Sequence, residues 1–529
     1  MCVSRGGSDN LRHLWPQSYD KPGPGARPTG GTREVQQASQ EVSTLTVAAA
    51  LLVFLVGWSL SWSLLEADRA LHPDVVEAYA WGKEFQLGYE KHGPFWAWIA
   101  GFWFLLFPAT NSSFAVLEAL NATLGLWGAW RLAGLFASGW SRHAAVLLLV
   151  ATPFYTFQAY KYNANTIFLP LWPWMLFFFV RSVDKLNWRD AALSGAFAAA
   201  LLLSKYYAVV LFSTCAISLA FHPNAKRYMR SALPWIAAAV FLAAIFPHVV
   251  WAAGAGNPAG SYALGKIGKG LQFSLLNAAQ FTAVLALSHG GVLAILLLAR
   301  RPRQQEAARS PARIEPGRRK FLAALVFAPP LLTIAFGLAF QLKIEPIMAA
   351  GIFPLMPLFL MNEMGLADCR RCFVFAGWAA AAITAATLAG APVMRYVNAN
   401  SKSGPSYAEP RQELAARVTG LWRAETKSRL AYVGGPAGLA NAISFYSGDH
   451  PSSFVNLGFA SAPWVTPAKL LREGLLIVCE HRDEACIGKA ATYVSQTSKR
   501  TSVNLRRKVG TREFPEYEYD VFIQPPQTE

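Results

Sequence analysis

Leu71-His72-Pro73-Asp74-Val75-Val76-Glu77, continuing to Tyr89-Glu90-Lys91-His92-Gly93-Pro94, sets carboxylates and a lysine between two strongly apolar runs. Ionisable groups at a bilayer edge are costly unless hydrated or paired, so this cluster directly after a first hydrophobic span is a candidate site. A solvated loop between two helices carries such charges too, and residue types alone leave both readings open.

The flanks decide the class. With 53% hydrophobic and 15% charged residues, 18 Trp and 34 Phe in 529 residues, the chain is too apolar and aromatic for an ordinary soluble globule. A helix needs roughly 20 apolar residues to cross the hydrocarbon, and such runs recur from residue 45 to residue 393. Residues 394–529 return to ordinary polarity and read as a separate soluble domain.

The net charge of +17 sits mostly in short loops: Arg181, Lys185 and Arg189; Lys226, Arg227 and Arg230; and the 300–320 loop with Arg300, Arg301, Arg303, Arg309, Arg313, Arg318, Arg319 and Lys320. This is the positive-inside pattern and requires no nucleic acid. Residues 1–42, rich in Gly and Pro, read as a disordered cytoplasmic tail before a retained first span.

Length and charge together predict about 11 spans, near 45–65, 114–136, 143–160, 166–181, 191–204, 206–221, 231–253, 273–299, 321–341, 346–362 and 373–393. Segment 94–108 is apolar but short and is expected in the outer interface, where Trp96, Trp98 and Trp103 suit the headgroup level. The loops at 66–93, 161–165, 254–270 and 342–346 then share the outer side with the C-terminal domain. Nucleotide donors are normally absent there, which favours chemistry fuelled by a membrane-borne carrier.

Pro73-Asp74, Lys83-Glu84 and Tyr89-Glu90-Lys91 before Pro94 and an aromatic helix resemble the first periplasmic loop of bacterial aminoarabinose transferases and the wider protein O-mannosyltransferase-like superfamily, GT-C glycosyltransferases that use polyprenyl-phosphate sugars. Tyr160-Lys161-Tyr162-Asn163-Ala164-Asn165, Leu203-Ser204-Lys205-Tyr206-Tyr207 and Lys343-Ile344-Glu345-Pro346 follow in the same order. The resemblance spans residues 45 to 395. It implies a polytopic α-helical GT-C architecture with interfacial helices and a small C-terminal α/β extracytoplasmic domain, in a bacterial inner membrane with the N-terminus cytoplasmic and residues 394–529 periplasmic.

By the resemblance, Asp74 is the general base that takes the acceptor hydroxyl proton during an inverting displacement, with Glu77 as the alternative or orienting carboxylate. Lys91 faces the carrier phosphate and His92 adds a hydrogen bond. Gly93 stands where the family often has a further proline, which loosens this turn. Lys205 and Lys343 are further phosphate ligands, and interfacial snorkelling is their other reading. Tyr89, Asn163, Asn165 and Tyr206 are expected to meet sugar or acceptor, although Asn at the start of a span also caps helices. Related enzymes commonly place an aspartate at position 165, where paired carboxylates hold a divalent cation. An amide binds hard cations poorly, so metal-independent catalysis without a cofactor is expected.

The expected partners are a polyprenyl-phosphate-linked sugar donor, the bilayer, and a glycolipid or glycan acceptor, lipopolysaccharide or lipid A first. A protein O-mannosyltransferase would carry a lumenal recognition insertion, and none is seen. A lipid-linked sugar flippase would show mid-membrane charges and an inverted repeat, whereas these charges lie at span ends.

In the C-terminal domain, Leu430–Val433, Leu475–Val478 and Tyr517–Ile523 read as strands, with helices near 436–446 and 466–473. The turn Gly434-Gly435-Pro436-Ala437-Gly438 lacks dinucleotide-loop spacing and reads as a tight βα turn. The domain is expected to cap the membrane cavity or to recognise the acceptor. Cys479 and Cys486 lie close enough in sequence for a disulfide. Cys369 and Cys372 form a lone C-x-x-C without zinc partners, and Cys2 and Cys215 have no assigned role.

Overall fold

The computed structural model describes residues 44–527 except 256–257, 269, 301–313, 350, 402–404, 496–497 and 510–511. The expected tail at 1–42, with Cys2, and Arg301, Arg303, Arg309 and Arg313 of the basic loop lie outside the described residues.

Among the described residues, five helical stretches are long and apolar enough to cross a membrane: Thr44–Glu66, Leu233–Gly254, Leu271–Ala299, Pro316–Ala339 and Arg370–Ser401. At 1.5 Å per residue the 23-residue first helix reaches ~35 Å, enough for a ~30 Å hydrocarbon layer. Side chains such as Leu287 and Leu298 are exposed on these helices, as apolar faces meeting lipid must be. Asn111–Ala133, also 23 residues long, is buried along most of its length and forms the inner wall against Thr44–Glu66 and Phe168–Lys185.

Two of the expected spans are broken. The helix expected over 143–160 stops at Leu149 and gives way to turns. Pro153 disfavours helical backbone at Thr152, whose hydroxyl donates back to the Leu149 carbonyl at 2.6 Å. The segment 346–362 is a short 3-10 turn, Pro346–Ala349, followed by the eight-residue helix Met356–Glu363. Between them Gly351 has φ +81° and packs against the Phe168 carbonyl, where a Cβ would come within 2.7 Å. Helix Phe95–Leu106 has 12 residues and reaches ~18 Å, short of a crossing.

The C-terminal part is a five-stranded sheet with β1 Tyr432–Gly435, β2 Ser452–Val455, β3 Leu475–Glu480, β4 Lys499–Val509 and β5 Arg512–Gln524, in the order β2-β1-β3-β5-β4. The first three strands are parallel; β5 runs antiparallel to β3 and β4. Helices Arg411–Thr426, Ala437–Tyr446, Pro467–Glu473 and Glu484–Ala490 accompany it. Cys479 and Cys486 are disulfide-bonded, and Cys369 is paired with Cys372 as well.

The short helix Pro73–Gly82 joins the two halves. On one side Gly82 and Gly101 let it approach Phe95–Leu106 so closely that a Cβ on either would lie 2.3 Å from a backbone oxygen. On the other side it packs on Ala437–Tyr446, and the Tyr79 ring meets Phe104 and Phe445 edge-on at 5.2 and 5.1 Å. The Leu71 amide donates to the Tyr446 hydroxyl at 2.9 Å, and the Lys83 ammonium donates to the His450 carbonyl. The C-terminal sheet domain therefore holds the segment that carries the first candidate carboxylates.

Candidate active site

Asp74 sits in the first turn of helix Pro73–Gly82. Pro73 supplies the fixed φ of a first helical position, and the His72 ring accepts from the Asp74 amide at 3.3 Å as N-cap. A carboxylate here also faces the positive end of the helix dipole. Half of the Asp74 side chain is exposed, so its oxygens are open to a substrate.

Asn163 reaches Asp74 from the other wall. Its side-chain amide donates to Asp74 Oδ2 at 3.3 Å, while its Oδ1 accepts from the backbone amides of Asn165 and Thr166 at 2.8 and 3.2 Å. Asn163 thereby caps the turn at 163–167 and not the helix itself, which begins at Phe168 with Ile167 as N-cap, and the same side chain also orients a carboxylate. The Asn165 amide donates to Asn163 Oδ1 at 3.3 Å, and Asn165 Oδ1 accepts from the Lys205 ammonium. Asp74, Asn163, Asn165 and Lys205 thus form one hydrogen-bonded chain.

Glu77 does not orient Asp74. Its carboxylate, nearly buried, takes the Lys91 ammonium at 2.7 Å. Burial pushes the Glu77 carboxyl up from its ordinary range, and Lys91 pulls against that. For Lys91, burial works against the charge, but the Glu77 carboxylate outweighs it and holds the ammonium above its ordinary value.

Lys91, His92, Lys205, Tyr206, Tyr262, Lys266 and Lys343 line one cavity of about 280 Å³. Its remaining walls are mostly apolar, with Val209, Val210, Phe336, Leu342, Ile344 and Met348 beside the Tyr207 and Thr333 hydroxyls, which bond each other at 2.6 Å. A cationic mouth over an apolar slot suits one phosphate attached to a hydrocarbon tail. Burial, then the nearby charge of Lys266, pulls the Lys205 ammonium down to about 8, although Glu345 and Asp74 act in the opposite sense. Burial and the three ammonium groups of Lys205, Lys91 and Lys266 hold His92 well below its ordinary value, so it enters the site neutral. Lys343 pairs with Glu345 at 2.9 Å on the exposed rim. The Tyr206 hydroxyl bonds His248 Nε2 at 2.9 Å.

Two expectations change. Tyr89, expected to meet sugar or acceptor, is 1% exposed, stacks on Trp81 at 4.7 Å between ring centres, and donates its hydroxyl to the Trp81 carbonyl at 2.6 Å; it is a packing residue. Gly93 does not loosen its turn. A Cβ there would lie 2.3 Å from the Leu203 carbonyl, the same oxygen that accepts the Phe95 amide at 3.0 Å, so glycine is what lets the Lys91 loop seat beside Lys205.

Tyr262 and Lys266 were missed by sequence reading. The ammonium of Lys266 lies 4.3 Å from the Tyr262 ring centre. The signal was one tyrosine and two lysines, Lys266 and Lys269, in the 254–270 loop, which matches none of the motif words. Among the described residues no three His, Cys, Asp or Glu side chains converge.

The family model for dolichyl-phosphate-mannose-protein mannosyltransferases matches residues 91–251. That range holds Lys91, His92, Asn163, Asn165, Lys205 and Tyr206, and begins after Asp74 and Glu77. No curated protein matches the chain in sequence. Among solved structures, ArnT from Cupriavidus metallidurans in the apo state aligns at a TM-score of 0.55 and 15% identity, over 91% of this chain and 98% of that one. ArnT bound to undecaprenyl phosphate aligns at 0.51 and 15% identity, over 90% and 97%. With nine-tenths or more of both chains aligned, the chain carries the GT-C fold of these structures.

Proposed function

We propose that the chain is an inverting glycosyltransferase that moves a sugar from a polyprenyl-phosphate carrier to a periplasmic glycolipid or glycan, lipopolysaccharide or lipid A first, at a bacterial inner membrane. The observation that carries this reading is the cavity in which Lys91, Lys205, Lys266 and Lys343 surround an opening over an apolar slot, with Asp74 tied to Lys205 through two amides. The complex of ArnT with undecaprenyl phosphate supports the same donor class.

In this reading the phosphate sits among the lysines and its tail lies along Val209, Val210, Phe336 and Ile344. The acceptor hydroxyl oxygen attacks the anomeric carbon, forming the new C–O bond as the carbon–phosphate-oxygen bond breaks. Asp74 takes the hydroxyl proton, and polyprenyl phosphate leaves with its charge held by the ammonium groups. Lys91 is held to one position by Glu77, which pre-organises it. Attack opposite the leaving phosphate inverts the centre. Orientation is part of the proposal: the lysine cavity and the sheet domain lie outside, and the Arg-rich loops lie inside.

The test is mass spectrometry of envelope lipids and lipopolysaccharide from a deletion strain. Loss of one glycosyl unit from one glycolipid identifies sugar and acceptor together. An unchanged glycolipid profile with loss of mannose from secreted proteins would reassign the acceptor to protein.

A further inference from the structure

A second cavity, of about 410 Å³, lies at the C-terminal ends of the parallel strands. Gly435 at the end of β1 and Pro436 just after it, Asn456 and Ser461 after β2, and Asp483 and Cys486 after β3 form its walls. The chain leaves β1 for β2 on one side and returns to β3 on the other, so neighbouring connections diverge here. Open α/β sheets bind ligands in this crevice. Glu90, adjacent to Lys91, completes the lining from the membrane half.

The walls are held firmly. The Cys479–Cys486 disulfide ties the end of β3 to the helix after it. Asn456 and Leu457, consecutive and neither of them glycine, take φ of +55° and +50°, a conformation kept only where its surroundings impose it.

The polar groups define the ligand. Asp483 spends Oδ1 on the Cys486 amide at 3.0 Å and keeps a second oxygen. Asn456 accepts from the Ala437 amide at 3.3 Å through its side-chain oxygen, which leaves its NH₂ as a donor. Glu90 and Ser461 add a carboxylate and a hydroxyl. Lys489 is the one cation on the wall, against two carboxylates, and its ammonium faces the Asn456 carbonyl at 3.4 Å. This balance disfavours a phosphate and suits the alternating donors and acceptors of a polyol.

We infer that this crevice binds a saccharide segment of the acceptor, holding the glycan against the soluble domain while its reacting hydroxyl reaches the Asp74 side. The inference rests on the proposed glycosyltransferase reading for the source of the saccharide, not for its binding. Saturation-transfer NMR on the full-length protein in detergent, with a panel of delipidated lipopolysaccharide core oligosaccharides, tests binding directly. The wild type is expected to bind at least one member. N456G combined with S461A, checked for an unchanged melting temperature, should weaken that binding at least tenfold, whereas D74N and K91A should retain it. No binding by the wild type, survival of binding in the double variant, or its loss in K91A would overturn the inference. In transfer assays the double variant should raise the acceptor KM at least tenfold with an unchanged donor KM. Wild-type saccharide binding without any sugar transfer would remove the enzyme reading alone; transfer with double-variant binding intact would remove the crevice alone.

Discussion

Asp74 and Lys205 are joined by two side-chain amides: Asn163 donates to the carboxylate at 3.3 Å, and Asn165 accepts from the ammonium. The group proposed to take the acceptor proton is thereby fixed relative to a group proposed to hold the leaving phosphate. D74N keeps the shape and the helical position but cannot accept a proton. Transfer should fall by about 10²-fold or more, with carrier binding retained in a filter or calorimetric assay. Transfer near the wild-type rate would place the base elsewhere.

Lys205 gives a pH dependence. Its ammonium loses its proton near pH 8, so it is charged below that value and neutral above it. Donor KM should therefore rise as the pH passes from 7 to 9, and K205R, whose guanidinium stays protonated throughout, should flatten the rise. An identical pH profile in the variant would separate Lys205 from the donor.

Lys91 and Glu77 form a half-buried pair at 2.7 Å. K91A should raise donor KM far more than K91R, which keeps the charge. Removing the ammonium also strands a nearly buried carboxylate, a loss of about 1–3 kcal/mol of stability that chemical denaturation would read. Equal donor KM values for K91A and the wild type would contradict the assignment.

Gly93 offers a packing test. G93A forces a Cβ to 2.3 Å from the Leu203 carbonyl, a clash the backbone relieves only by moving. The expected cost is about 1–3 kcal/mol, read as a lower melting temperature, together with a raised donor KM as Lys91 shifts from Lys205. An unaffected G93A would mean the Lys91 loop is mobile.

The membrane class, the short length of helix 95–106 and the main strands of the C-terminal domain were legible because composition and periodicity act locally. The β2 and β4 strands were not. The first is four residues long, and the second, Lys499–Val509, is an exposed strand rich in Lys and Arg with little apolar alternation. The break at 346–356 was hidden because apolar composition persists through it, while the positive φ of Gly351 and Pro354 interrupt the helix and Pro357 opens the next one. At the site, motif words led to Asp74, Lys91, Asn163, Asn165 and Lys205, which the fold brings together. They misplaced Tyr89, whose ring the core needed, and passed over Lys266, which reaches the cavity through tertiary folding alone.

The most direct measurement supplies the purified protein, in nanodiscs with an envelope glycolipid acceptor, with either a polyprenyl-phosphate-linked sugar or the corresponding nucleotide sugar. The lysine-lined cavity with its apolar slot predicts transfer from the lipid-linked donor, release of polyprenyl phosphate, inversion at the anomeric carbon, and no transfer from the nucleotide sugar. Transfer from the soluble nucleotide donor with no carrier lipid present would contradict the account at its centre.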